Sequence, residues 1–274
     1  MIIGIIGQGF VGNAIYQKFK NYYNVLTFDL DNSKCNSTEE ELLEKSEVIF
    51  VCLPTPMNTD GSCNIDIVES VIKKINEKTK DKIVVIKSTV PPNTTNTLNS
   101  KYENITVSFN PEFLTERNAV NDYENQSRII LGGPRPSTTI LKQVFSKVFP
   151  KAEIIKTDST HAEMVKYLTN TFLSVKVSFA NEIYQLCDKL NIDYDKVVEY
   201  ATHDERLGKS HWSVPGHDND YGFGGHCFPK DLSALISLTK ELGTLNNVLI
   251  ATNETNNSVR KNRDWENMKG RAVI

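Results

Sequence analysis

Ten residues, Gly222-Phe223-Gly224-Gly225-His226-Cys227-Phe228-Pro229-Lys230-Asp231, place one thiol in a glycine-rich loop with a lysine and an aspartate close behind. A second segment, Gly7-Gln8-Gly9-Phe10-Val11-Gly12, has the glycine spacing of a dinucleotide-binding turn. A reactive thiol combined with a hydride acceptor could carry an alcohol past the aldehyde to the acid through covalent sulfur intermediates. Cys227 sits between the glycines and a Pro-initiated helix, whose N-terminus would lower a thiol pKa. On this chemistry alone a structural loop cysteine is as good a reading as a nucleophile. Cys35, Cys52, Cys63 and Cys187 read as small buried hydrophobes.

The glycine turn gains weight from its surroundings. It follows an apolar strand, Ile2-Ile6, and opens a helical pattern, Val11-Lys20. One glycine allows the tight turn, one lets the backbone approach a pyrophosphate, and one packs helix on strand. The helix N-terminus then offers unsatisfied N–H groups to the anion. Asp29 closes the next strand, 17 residues after Gly12. A carboxylate there binds ribose hydroxyls and repels a 2′-phosphate, so the cofactor expected is NAD.

Positioning these groups requires a sheet. Short apolar runs, Ile2-Ile6, Val25-Asp29, Val48-Leu53, Ile83-Lys87, Ile105-Phe109, Arg128-Leu131 and Glu153-Ile155, read as strands. Several are rich in Val and Ile, as parallel strands buried on both faces must be. Helical patterns Glu39-Lys45, Ile65-Lys78 and Thr138-Val148 lie between them, the first opened by a Thr38/Glu41 capping box. Alternation of this kind predicts an α/β fold, a Rossmann-type doubly wound parallel sheet, over residues 1–158. An all-helical domain is expected over 159–269. Its long first helix is opened by a second box, Thr160/Glu163, and carries an apolar stripe: Met164, Leu168, Phe172, Val175, Phe179, Ile183 and Leu186. The stripe suits either a domain core or a dimer seam. Further helices are expected over Asp231-Leu242 and Asn246-Trp265, with a loop over Gly208-Gly225.

Bulk properties narrow the class. Among 274 residues, 31 basic side chains stand against 34 acidic ones, which predicts no nucleic-acid surface and no polybasic membrane patch. No apolar run is long enough to span a bilayer. Five scattered cysteines without a Cys-x-x-Cys pair argue against a disulfide framework or a zinc site, and fit a cytoplasmic protein.

Six motifs, in order, make the chain resemble the UDP-glucose/GDP-mannose dehydrogenase family. They are Gly7-x-Gly9-x-x-Gly12, Val51-Cys52-Leu53-Pro54-Thr55-Pro56, Lys87-Ser88-Thr89-Val90-Pro91-Pro92, Asn110-Pro111-Glu112-Phe113-Leu114, Lys166-x-x-x-Asn170 and the cysteine loop itself. The resemblance implies oxidation of the C6 alcohol of a nucleotide sugar to the carboxylate with two NAD. It implies Cys227 as the nucleophile that forms a thiohemiacetal and then a thioester. Lys166 would stabilise oxygen charge at C6, with Asn170 beside it on the same helix. Glu112 would activate water for hydrolysis, and Thr89 and Asp231 would hold that water. Cofactor contacts are implied for Gly7, Gly9, Phe10, Val11, Gly12, Asp29, Lys34, Pro54, Thr55 and Thr89. Sugar contacts are implied for Glu112, Phe113, Leu114, Glu116, Lys166, Asn170 and Gly224, with Arg206 reaching across a homodimer formed through the long helix.

The chain departs from the family pattern at three places. Asn93 replaces a glycine after the two prolines, a residue that tolerates left-handed backbone. Thr115 and Arg117 replace an arginine and a glycine around Glu116. The family's C-terminal nucleotide-binding domain is not expected within these residues. Two alternatives accompany the main reading. One is a two-domain 3-hydroxyacid-type NAD dehydrogenase, which needs no thiol loop. The other is a non-catalytic NAD-binding subunit.

Overall fold

A computed structural model describes residues 1–274. Two compact units result, one comprising residues 1–55 and 65–166, the other residues 56–64 and 167–274.

The first unit is built on strands β1 (Ile2–Ile6), β2 (Asn24–Phe28), β3 (Val48–Val51), β4 (Lys82–Ile86), β5 (Ile105–Phe109), β6 (Arg128–Gly132) and β7 (Glu153–Thr157). They form one sheet in the order β2-β1-β3-β4-β5-β6-β7. Every neighbouring pair is parallel except β5–β6, which meet antiparallel at Phe109 and Gly132. Because side chains alternate along a strand, each strand feeds two cores. Ile3, Ile5, Val48, Phe50 and Val85 join one cluster, while Ile6, Ile49, Val51, Val84 and Ile86 join the other. Helices α1 (Phe10–Phe19), α2 (Glu39–Lys45), α3 (Asp66–Lys78), α4 (Thr94–Lys101), α5 (Ala119–Glu124) and α6 (Ser137–Val148) complete this unit, together with the first residues of α7 (Ser159–Leu190).

The second unit takes the rest of α7 with α8 (Tyr194–Ala201), α9 (Cys227–Glu241) and α10 (Asn247–Val259). It also takes residues 56–64, whose Met57 bridges both Cys63 and Val273. No helix is long and apolar enough to cross a membrane.

Strand positions agree with the sequence reading to within a residue or two, and several helices differ in instructive ways. The expected boundary at 158/159 gives way to a division inside α7, between residues 166 and 167. Helix α9 starts at Cys227 rather than Asp231. Pro229 is tolerated there because first-turn amides have no intrahelical acceptor. Helix α10 ends at Val259, and a separate 3-10 turn over Asp264–Asn267 replaces the expected continuation to Trp265. Helices α4, α5 and α8 lie where no helix was expected. Asn93 caps α4 at φ 78°, the left-handed conformation that asparagine tolerates.

The Thr38 cap of α2 forms, accepting the Glu41 amide at 3.1 Å. The second expected box does not. Asp158 takes the cap role at α7 by accepting the His161 amide at 3.0 Å. Glu163 instead accepts the amides of Asn93 and Thr95, at 2.6 and 2.8 Å, and the Thr95 hydroxyl at 2.6 Å. It thereby holds the start of α4. Burial raises its carboxyl to about 7, against the opposing pull of these donors and with Asp158 adding to the rise. The folded state therefore binds more protons than the unfolded chain between the ordinary 4.5 and about 7, so stability falls as pH rises through that window. Thermal melts from pH 5 to 8 should show the loss, on the order of 3 kcal/mol in full. Glu163→Gln should flatten the curve, and an unchanged slope in that variant would refute the assignment.

Candidate active site

The glycine turn forms as the spacing requires. Gly7 adopts φ 90°, and a Cβ there would lie 2.3 Å from the Cys52 carbonyl oxygen. A Cβ at Gly12 would lie 1.9 Å from the Gly7 oxygen, so helix and turn can approach only through glycine. Nothing lies within 4 Å of a Cβ placed on Gly9, the N-cap of α1, which leaves its amide face open to a phosphate. Phe10 and Val11 form the first turn of that helix. The buried Gln8 Nε2 has no hydrogen-bond partner, an orphan donor beside the same turn.

Asp29 follows β2, with Oδ2 accepting the Gln8 amide at 2.6 Å and Oδ1 accepting the Asp31 amide at 2.9 Å. The carboxylate is thus fixed against the glycine turn, where a ribose would lie. These residues fit NAD. Lys34 pairs with Asp31 at 3.2 Å and is exposed. Pro54 and Thr55 follow β3, and the Thr55 hydroxyl donates to the Thr89 carbonyl at 2.8 Å. That bond ties together the two segments after β3 and β4.

Glu112 and Lys166 meet as the first unit's central pair. Both are buried, and Lys166 Nζ donates to Glu112 Oε1 at 2.8 Å and to its carbonyl at 2.6 Å. The Leu114 amide donates to Glu112 Oε2 at 2.7 Å. Burial works against the charge, yet the Lys166 ammonium, the Leu114 amide and Lys87 together hold the Glu112 carboxyl below its ordinary range. Phe113 lies within cation–π reach of both Arg128 and Lys166, at 4.4 and 5.6 Å. Glu116 is exposed on a 3-10 turn.

Lys87 opens the Lys87-Ser88-Thr89 motif, whose spacing assigns it no role. It is buried, and Nζ donates to Asn110 Oδ1 at 2.7 Å. Burial pushes its ammonium down to about 8, with Cys52 and Glu112 opposing that shift and Lys166 adding to it. Burial of its sulfur also pushes the Cys52 thiol up to about 12. Of the four cysteines expected as buried hydrophobes only Cys187 is buried; Cys35, Cys52 and Cys63 are half-buried, and Cys35 Sγ bonds the Asp29 backbone.

The second unit holds the other chemical cluster. Asp231 is buried, accepting Asn170 Nδ2 on Oδ2 at 2.6 Å and Lys230 Nζ on Oδ1 at 2.6 Å. Burial opposes the charge on Lys230, but Asp231 first, then Cys63 and Cys227, raise its pKa. The Lys230 ammonium thus lies within electrostatic reach of Cys227. Cys227 itself is the first residue of α9, at the positive end of the helix dipole. No cysteine is in a disulfide. Lys230, one residue before an expected site residue, is buried against Asp231, a placement its sequence position does not reveal.

Gly224 packs against Arg260 and Asp264. Arg206 is fully exposed, its guanidinium paired with Asp204. The α7 stripe is exposed in the single chain at Met164, Leu168, Phe172, Phe179 and Leu186, so it is not the core of this chain.

Comparison with known proteins places this geometry in context. The model of the NAD binding domain of the UDP-glucose/GDP-mannose dehydrogenase family matches residues 31–152, and that family's central domain matches residues 160–258. The UDP-glucose 6-dehydrogenase of Rickettsia bellii is 35% identical, over 82% of this chain and 52% of its own length. The chain thus spans about half of that curated relative. UDP-glucose 6-dehydrogenase TuaD of Bacillus subtilis is 31% identical, over 94% of this chain and 63% of its own. A solved UDP-glucose dehydrogenase from Pyrobaculum islandicum superposes with a TM-score of 0.85 at 27% identity, over 94% of this chain and 68% of that one. The Rossmann-type sheet, the helical second unit and the two matched domains together make this chain a member of the UDP-glucose/GDP-mannose dehydrogenase family.

Proposed function

We propose that this chain carries the catalytic residues of an NAD-dependent nucleotide-sugar 6-dehydrogenase, acting on UDP-glucose to give UDP-glucuronate. The observation that carries the reading is the buried Asn170–Asp231–Lys230 cluster at the start of α9, whose ammonium senses Cys227. NAD, held by the Gly7–Gly12 turn and Asp29, would supply the hydride acceptor for both oxidations. The first oxidation converts the C6 alcohol to the aldehyde and releases a proton, with Asp231 as its acceptor by way of water. Cys227 Sγ adds to the aldehyde carbon, and Lys166 and Asn170 stabilise the resulting oxygen charge. Loss of the second hydride leaves a thioester on Sγ. Glu112, kept ionised by Lys166, takes a proton from the attacking water, and the carboxylate leaves as the thiol is restored.

The test is stoichiometry. Two NADH per UDP-glucose are expected, with slower turnover of GDP-mannose and UDP-N-acetylmannosamine. Oxidation of a small alcohol with one NADH per substrate, surviving Cys227→Ser, would instead support the 3-hydroxyacid-type alternative. Tight NAD binding without turnover on any sugar would support the non-catalytic one.

We further propose a homodimer through α7, since burying Leu168, Phe172, Phe179 and Leu186 would remove a continuous apolar face from water. Light scattering should give twice the mass of one chain, and Phe172→Asp with Phe179→Asp should give the monomer. A monomeric wild-type chain would refute the dimer.

A further inference from the structure

We infer that Arg260, Asp264 and Asn256 are positioning residues for Cys227, an inference that rests on Cys227 being the nucleophile. The loop before Cys227 has no regular secondary structure, so its amides need side-chain partners. They are supplied one by one. The Gly222 amide donates to Asn181 Oδ1 at 3.1 Å, and the Phe223 amide donates to Asn256 Oδ1 at 2.7 Å. Asn256 Nδ2 returns a bond to the Phe223 carbonyl at 3.0 Å. The Gly225 amide, two residues before the thiol, donates to both Asp264 oxygens at 3.1 Å.

Arg260 locks this set from below. Its guanidinium is almost wholly buried and pairs with Asp218 at 2.6 Å, Asp264 at 3.5 Å and Asp220 at 3.6 Å. Asp220 in turn accepts the amides of Lys261 and Asn262, at 3.2 and 2.8 Å. Both ends of the segment 218–225 are therefore tied to one short stretch after α10. The fit is close: a Cβ on Gly224 would lie 2.2 Å from Arg260 Nη2, and one on Gly222 would lie 2.2 Å from Asn256 Oδ1. One buried cation among three carboxylates is a poor source of stability but a specific one of geometry. Its consequence is a thiol presented in a single orientation at the α9 N-terminus.

The test uses the intact chain and reads each cysteine by iodoacetamide labelling and peptide mass spectrometry between pH 6 and 9. In the wild type, Cys227 should label with a lower pH midpoint than Cys35. Asp264→Ala and Arg260→Met should slow Cys227 labelling at pH 7 by about fivefold or more, as its midpoint moves toward that of an ordinary thiol. Labelling of Cys35 should not change. Asp264→Asn, which keeps an acceptor for Gly225, should stay within about twofold of wild type and serves as the folded control. An activated Cys227 that labels at the wild-type rate in the alanine and methionine variants would overturn the positioning role alone. A wild-type Cys227 with the profile of an ordinary thiol would instead overturn the nucleophile reading beneath it.

Discussion

Cys227→Ala should reduce carboxylate formation from a nucleotide sugar by at least about 10³-fold, while NAD affinity and melting temperature stay near the wild-type values. The effect is large because the second hydride leaves from a thiohemiacetal on Sγ, and no other group in the cluster can replace a thiol. Cys63 also senses Lys230, but it lies on the 56–64 segment and not at a helix N-terminus. Stability should be spared because Cys227 is only partly buried and its removal leaves Asn170, Lys230 and Asp231 paired to one another. Cys227→Ser separates the two oxidations further. A serine can accept the first step but forms no thioester, so product should stop at the aldehyde level with at most one NADH per sugar. The measurement is NADH absorbance against product identified by mass. Full turnover in Cys227→Ala would remove the sulfur intermediates from the mechanism.

Lys166→Met should destabilise the fold by about 3–5 kcal/mol, because it leaves the Glu112 carboxylate buried without its main partner. The pH dependence gives the sign. In the wild type the folded Glu112 pKa is lowered, so its contribution is present above the ordinary carboxylate pKa and lost as pH falls through the folded value. Without Lys166, burial prevails, the folded pKa rises, and stability falls as pH increases. The gap between the two chains should therefore be widest at neutral pH and narrow toward pH 4. Lys166→Met combined with Glu112→Gln should recover much of the loss at pH 7, since no buried charge then remains at that position. Urea denaturation at pH 4.5 and 7.5 measures all three chains. Equal losses at the two pH values would refute the buried-pair account.

Much of the fold follows from local pattern. The Val- and Ile-rich runs became strands because a parallel sheet buries both faces and admits few polar side chains. Residues 39–45 and 66–78 became helices with their expected limits, give or take a residue. Helix α4 was missed because Thr94-Thr95-Asn96-Thr97-Leu98-Asn99-Ser100-Lys101 has no apolar stripe and weak helix propensity. Its start is held from outside by Glu163, a residue 68 positions from Thr95. The same glutamate looked like a local cap for α7, and a long-range partner displaced that role. The 56–64 segment was read as part of the first domain, since contiguity in sequence is the only guide until its bridge to Val273 is seen.

The sequence by itself determined which chemical groups this protein carries and their short-range spacing: the glycine turn before α1, Asp29 at a strand end, and a thiol four residues ahead of an aspartate. Those features depend on neighbours in the chain, and neighbours are visible in one dimension. Only the tertiary structure decided which groups stay charged out of water. Lys166 reaches Glu112 across 54 residues, Asn170 reaches Asp231 across 61, and Arg260 reaches back to Asp218 and Asp220. A buried charge persists only where folding brings it a partner, and that partner is chosen by topology rather than by spacing.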